Sequence, residues 1–157
     1  MKFKLSSRSN ARLEGVHPEL VKVVRRAIEI TDVDFGVTEG VRSEATQKHY
    51  VATGKSQTMD SKHLRQEDGY SHAIDLVAYV GSSVSWELNL YDDIADSIKR
   101  AALENGLGIR WGAAWHINRF DQYDGTAEQA MLEYIDLRRS QGRRPFIDGP
   151  HFEITQL

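Results

Sequence analysis

The sequence predicts an α+β fold: a small, mainly antiparallel sheet bearing the candidate site, with helices packed against it. Three observations predict it. Ala73–Val80 is apolar enough for a buried strand. Shorter strand candidates lie at Val33–Thr38, at Ile109–Trp111 and in the C-terminal stretch. The stretches between them include several whose apolar residues recur at helical spacing. At 157 residues the chain fits one domain, 1–157, large enough to bury about two thirds of its unfolded surface.

Taken in order, residues 1–16 are polar and mixed, and Ser6, Ser7, Ser9 and Asn10 favour local turns. His17-Pro18 opens a helix, because proline suits the first helical position and Glu19 suits the positive end of the dipole. Leu20, Val23, Val24, Ala27 and Ile28 give it one apolar stripe through about Ile30. Ser43 is a candidate N-cap for a helix over Glu44–Ala52, closed by Gly54, which leaves Arg42 at a strand-to-helix junction facing a cleft. Residues 53–72 are polar and aperiodic, a long loop of the kind that is usually functional or disordered. Gly81-Ser82-Ser83 breaks the main strand, and an amphipathic helix follows over Leu88–Asn105 with Gly106 as its stop. Thr126 caps a helix over Ala127–Ser140 with Met131, Tyr134 and Ile135 inward. Phe146–Ile154 turns through Gly149-Pro150 into a last short strand.

Composition narrows the function classes. Net charge is −3 and no Lys/Arg run exceeds two, so the clustered basic field that nucleic acid requires is missing. Cysteine is absent, so any metal must be held by His, Asp and Glu. The start, MKFKLSSRSNARLEG, lacks the apolar segment of a secretory signal. No run approaches the ~20 apolar residues of a membrane span. The expectation is a soluble monomer made in the cytoplasm without membrane insertion.

The candidate chemistry centres on Ser61–Ala78. Asp75 sits in a strand-like apolar run, where an uncompensated carboxylate costs several kcal/mol to bury. A divalent metal would compensate it, with His63 and His151 as further ligands and a fourth position open to water, the pattern of a catalytic zinc. Asp148, three residues before His151 across Gly149-Pro150, stands where it can take a proton from such a water. The competing reading has Asp148 capping the turn and His151 packing on Trp111. Spacing alone leaves both open. Among the other histidines, His17 and His49 read as surface residues and His116 lacks a carboxylate at ligand spacing. His72 is three residues from Asp75, and residues three apart on a strand face opposite ways.

Seven ordered motifs carry a family resemblance. Leu13–Pro18 (LEGVHP), Thr38–Arg42 (TEGVR), Gly54–Thr58 (GKSQT), Ser61–Leu64 (SKHL), Ala73–Ala78 (AIDLVA), Ile109–Gly112 (IRWG) and Phe146–Glu153 (FIDGPHFE) resemble, in that order, the phage L-alanyl-D-glutamate endopeptidases. These belong with the VanY-like and VanX-like zinc D,D-peptidases. The resemblance implies that His63, Asp75 and His151 bind Zn2+ and that Asp148 is the general base. It also implies that Arg42 stabilises an oxyanion or grips a substrate carboxylate, while Ser61 and Gln47 are supportive. The implied activity is an endolysin's: cleavage of peptidoglycan stem peptides, at the L-Ala–D-Glu bond, on the periplasmic wall after release from the host cytoplasm. A D-Ala-D-Ala carboxypeptidase or dipeptidase, and a silent wall-binding module, are the alternatives.

Trp111, Trp115 and Tyr123 are candidates for groove walls or for core aromatics. The sequence departs from the family pattern between its first two ligands, where eleven residues separate His63 from Asp75 and Ser71 stands at a glycine position. The extra segment, Arg65–Tyr70, is charged and turn-prone, and is expected to form either a surface flap at the rim of the cleft or a neutral insertion.

Overall fold

The computed structural model describes residues 3–157. The sequence reading of residues 1–16 therefore includes Met1 and Lys2, which lie outside the described residues. A five-stranded sheet runs β1 (Phe35–Glu39), β2 (Ala73–Val80), β5 (His151–Gln156) and β4 (Gly108–Trp111), with β3 (Ser83–Ser85) also paired to β2. Its pairings are antiparallel. The helices are α1 (Ser7–Arg12), α2 (Pro18–Ile30), α3 (Glu44–Ala52), α4 (Leu88–Asn105) and α5 (Ala127–Ser140). This is the α+β architecture expected.

The helix boundaries follow from their caps. Ser43 accepts from the Thr46 N–H to start α3. Thr126 and Gln129 form a reciprocal capping box on α5. Gly106 closes α4 in the left-handed region at φ 68°. His17 caps α2 through its own ring, Nδ1 accepting from the Glu19 N–H at 3.1 Å.

Two elements depart from expectation. The N-terminal turns contain α1, a six-residue helix capped by Ser6. Tertiary contact holds it, for buried Ser9 accepts from the Val37 N–H at 2.9 Å. The break after β2 is a hairpin turn through Gly81 at φ 62°, leading into β3, whose single apolar residue, Val84 between two serines, is too short a signal for a strand.

The sheet has two distinct faces. Ile74, Leu76 and Ala78 of β2, Phe152 and Ile154 of β5, and Ile109 and Trp111 of β4 all enter the core with α2 and α4. The intervening residues on these strands, Asp75, His151, Glu153 and Arg110, take the opposite face by the two-residue period. That alternation builds a polar floor on a fully apolar underside.

Candidate metal centre and cleft

Asp75 and His151 are direct cross-strand partners, so sheet register alone brings them together. His63 arrives from the loop before β2. Its carbonyl accepts from the Arg42 N–H at 2.9 Å, and its own N–H donates to Ser61 Oγ at 3.2 Å. Its ring Nδ1 lies 2.8 Å from the Gly40 carbonyl, which can only accept, so Nδ1 carries the hydrogen and Nε2 is bare. His151 is fixed in the complementary way. Its Nε2 donates to Glu153 Oε1 at 2.8 Å, which frees Nδ1.

The result is a triangle of three acceptor atoms. His63 Nε2, His151 Nδ1 and Asp75 Oδ1 are each 3.2 Å from the other two. Ligand atoms about 2.0–2.1 Å from a tetrahedral ion stand roughly 3.3 Å apart, so the triangle fits one face of such a polyhedron. Three lone pairs facing one point repel unless positive charge lies among them. Burial opposes protonation of His151, yet the Asp75 and Glu153 carboxylates outweigh it and push its pKa up to about 10. Burial likewise works against the charge on Asp75, but a proton shared with the His151 and His63 rings, which takes the place an ion would occupy, holds its carboxyl well below the usual range. This His-Asp-His group can hold a metal ion.

Around it opens a cleft of about 900 Å³ whose lining includes Arg42, Asp148, Trp115 and Glu153. Asp148 is half-buried, and burial together with the Asp75 charge raises its pKa above the ordinary carboxylate value. Its backbone is clamped to Gly112, the Asp148 N–H donating to the Gly112 carbonyl at 2.9 Å. A Cβ at Gly112 would collide with the Asp148 carbonyl, so this approach requires glycine. Arg42 spans Glu39, Gln47 and Asp75: Nε and Nη2 donate to Glu39, Nη1 donates to Gln47 at 2.7 Å, and Nη2 is 3.5 Å from Asp75 Oδ2. Gln47 is itself fully buried.

A family model described as phage L-alanyl-D-glutamate peptidase matches residues 1–155. The chain belongs to that family. It is therefore a peptidase by descent. The L-alanyl-D-glutamate peptidase of Escherichia phage T5 is 33% identical over 143 residues, covering 86% of this chain and 100% of that protein. The crystal structure of the Serratia marcescens L-Ala D-Glu endopeptidase ChiX superposes with a TM-score of 0.71 at 35% identity, covering 98% of this chain and 92% of that one.

Against this peptidase frame the remaining sequence candidates sort cleanly. His72 turns to Asp68 at 2.7 Å and stays out of the triangle. His49 is exposed, and His116 stacks on Tyr134 with Glu133 at 3.4 Å. Trp111 is core rather than wall, its Nε1 donating to the Gly149 carbonyl at 2.8 Å. Trp115, not Trp111, packs on His151, with ring centroids 5.4 Å apart. Tyr123 bonds to Glu133 and does not line the cleft.

The expected flap is also corrected. None of Arg65–Tyr70 lines the cleft. The segment folds on itself as a small hairpin, closed by an Arg65↔Ser71 bridge and a Gln66 N–H to Tyr70 carbonyl bond of 2.9 Å. It leans on the start of α2, where the Tyr70 and His17 rings lie 5.5 Å apart. Because the excursion closes where it began, the eleven intervening positions leave His63 beside Asp75. Ser71 fills the glycine position without strain, fully buried with Oγ 3.1 Å from the Ala73 carbonyl.

Two functional positions escaped the sequence reading. Glu153 orients His151, and the Gly40 carbonyl orients His63. The first had a signal, since His151 and Glu153 are two apart on a strand and must share a face.

Proposed function

We propose that this chain is a zinc-dependent endopeptidase that cuts the L-Ala–D-Glu bond of peptidoglycan stem peptides during phage-driven host lysis. The 3.2 Å triangle of bare ligand atoms on the cleft floor carries the reading. His63 Nε2, His151 Nδ1 and Asp75 Oδ1 would hold the ion. Bound there, zinc supplies Lewis-acid chemistry, polarising a carbonyl and acidifying a water.

The chain's own groups do the rest. Asp148 takes a proton from the attacking water and returns it to the departing amine nitrogen. Arg42 lines the cleft, and its N–H groups not taken by Glu39, Gln47 or Asp75 would stabilise the oxygen that gains charge as the carbonyl is attacked. Glu39, Gln47 and the Tyr50 ring, 4.6 Å from the guanidinium carbon, hold that fork in place. A structural metal in a silent wall-binding module would need neither Asp148 nor Arg42. The whole chain, 1–157, acts as one monomeric peptidase domain, made in the host cytoplasm and working on the periplasmic wall after release.

The test is metal reconstitution beside one variant. Protein stripped by a chelator and reloaded should bind one zinc per chain and regain turnover. Asp148→Ala should keep that zinc and its melting temperature while losing about 10²-fold or more in kcat. Turnover by the stripped protein, or near wild-type kcat in Asp148→Ala, contradicts the reading.

A further inference from the structure

We propose that Arg138 anchors a free carboxylate of the substrate peptide on the α5 wall of the cleft. The inference rests on the peptidase reading of the site and extends it to substrate selection. Three guanidinium groups line the cleft: Arg42, Arg110 and Arg138. Arg42 is neutralised by Glu39 and Asp75. Arg110, whose Nε is buried and unbonded, has its charge answered by Glu153 at 3.8 Å and donates to Asn118 at 2.8 Å. Arg138 has no carboxylate within 4.0 Å among the described residues, and its one bond runs from Nη2 to the Arg144 carbonyl at 3.3 Å.

Its Nε–H is buried and unbonded. A buried donor without an acceptor is a costly feature that folding alone does not select, so an acceptor arriving from outside is the natural complement. An Arg with its Nε edge free matches a planar carboxylate through two parallel N–H bonds, which a lysine cannot reproduce.

The wall that carries Arg138 is tied to the metal centre. Trp115, packed on His151, donates from Nε1 to the Phe146 carbonyl at 3.0 Å. The Phe146 N–H in turn donates to the Tyr134 hydroxyl at 3.2 Å, one helical turn before Arg138. Arg138 therefore sits on a braced surface continuous with the ligand shell. The substrate supplies the matching group: a D-glutamyl residue joined onward through one of its carboxyls keeps the other one free. A further acidic residue along the peptide carries the same chemistry.

Zinc-loaded wild type, Arg138→Met, Arg138→Lys and Arg139→Met should be assayed on three L-Ala–D-Glu peptides. One has its carboxylates free, one is amidated at D-Glu, and one is amidated at the next acidic residue. Wild type should prefer the free form over one of the two amides by about tenfold in kcat/KM, and that amide identifies the carboxylate held. Arg138→Met should raise KM for the free peptide and bring the ratio near one, with kcat within about twofold and zinc content and melting temperature unchanged. Arg138→Lys should recover only part of the ratio. Arg139→Met, which removes the neighbouring exposed charge outside the cleft, should keep all of it. Equal use of all three peptides by wild type, or an unchanged ratio in Arg138→Met, overturns the assignment of Arg138 and leaves the peptidase reading standing. Failure of wild type to cut any of the peptides overturns both.

Discussion

Each nitrogen in the ligand triangle is aimed by a partner on the far side of its ring, the Gly40 carbonyl for His63 and Glu153 for His151. These partners fix which nitrogen is bare. Glu153→Gln keeps the shape but weakens the hold on the Nε2 hydrogen and removes a charge. Metal affinity should fall about 10- to 100-fold, read by competition with a chromophoric chelator. Unchanged affinity would show that packing under Trp115 alone orients His151. At this scale the sequence was informative where a residue broke its local rule. Asp75 is legible as a carboxylate inside an apolar strand. Glu153 offered only its two-residue spacing from His151, which places both on one strand face without singling out their contact.

At the scale of elements, caps and stops were legible because Ser43, Gly106 and Thr126 act through their own immediate neighbours. The docking of the hairpin at Arg65–Ser71 was not, since it depends on Gly15 and His17 from a distant stretch. Trimming Arg65–Tyr70 should therefore lower the melting temperature and leave KM on peptidoglycan unchanged. A shifted KM at constant stability would restore it to the cleft. Helix α4 carries a second test. Asp92 is buried with Oδ1 unbonded, and burial plus the charges of Glu128, Asp93 and Asp96 push its pKa up to about 6. The folded protein thus holds that proton more tightly than the unfolded chain, so stability falls as pH rises from about 4 to 6 and stays lower above. Asp92→Asn should be more stable than wild type at pH 7.5, read as a higher melting temperature, with the gap closing near pH 4. Equal melting at pH 7.5 contradicts a strained Asp92.

Across the whole molecule, an apolar underside fixes a sheet whose upper face is free to carry charge, and the cleft follows from that division. The pairing of Asp75 with His151, 76 residues later, lies beyond any spacing rule. The buried Asp75 suggested it as one of two open readings, and the resemblance to a family whose motifs occur in the same order favoured it. The wall aromatics were legible as a group but not individually, because Trp111 and Trp115 differ only in which face of β4 and its following loop they meet. The bond that is cut decides the central proposal. Mass spectrometry of fragments released from purified peptidoglycan by the zinc-loaded protein should find peptides beginning at D-Glu, with L-Ala left on the glycan strand. Release of terminal D-Ala, with the L-Ala–D-Glu bond intact, would contradict it.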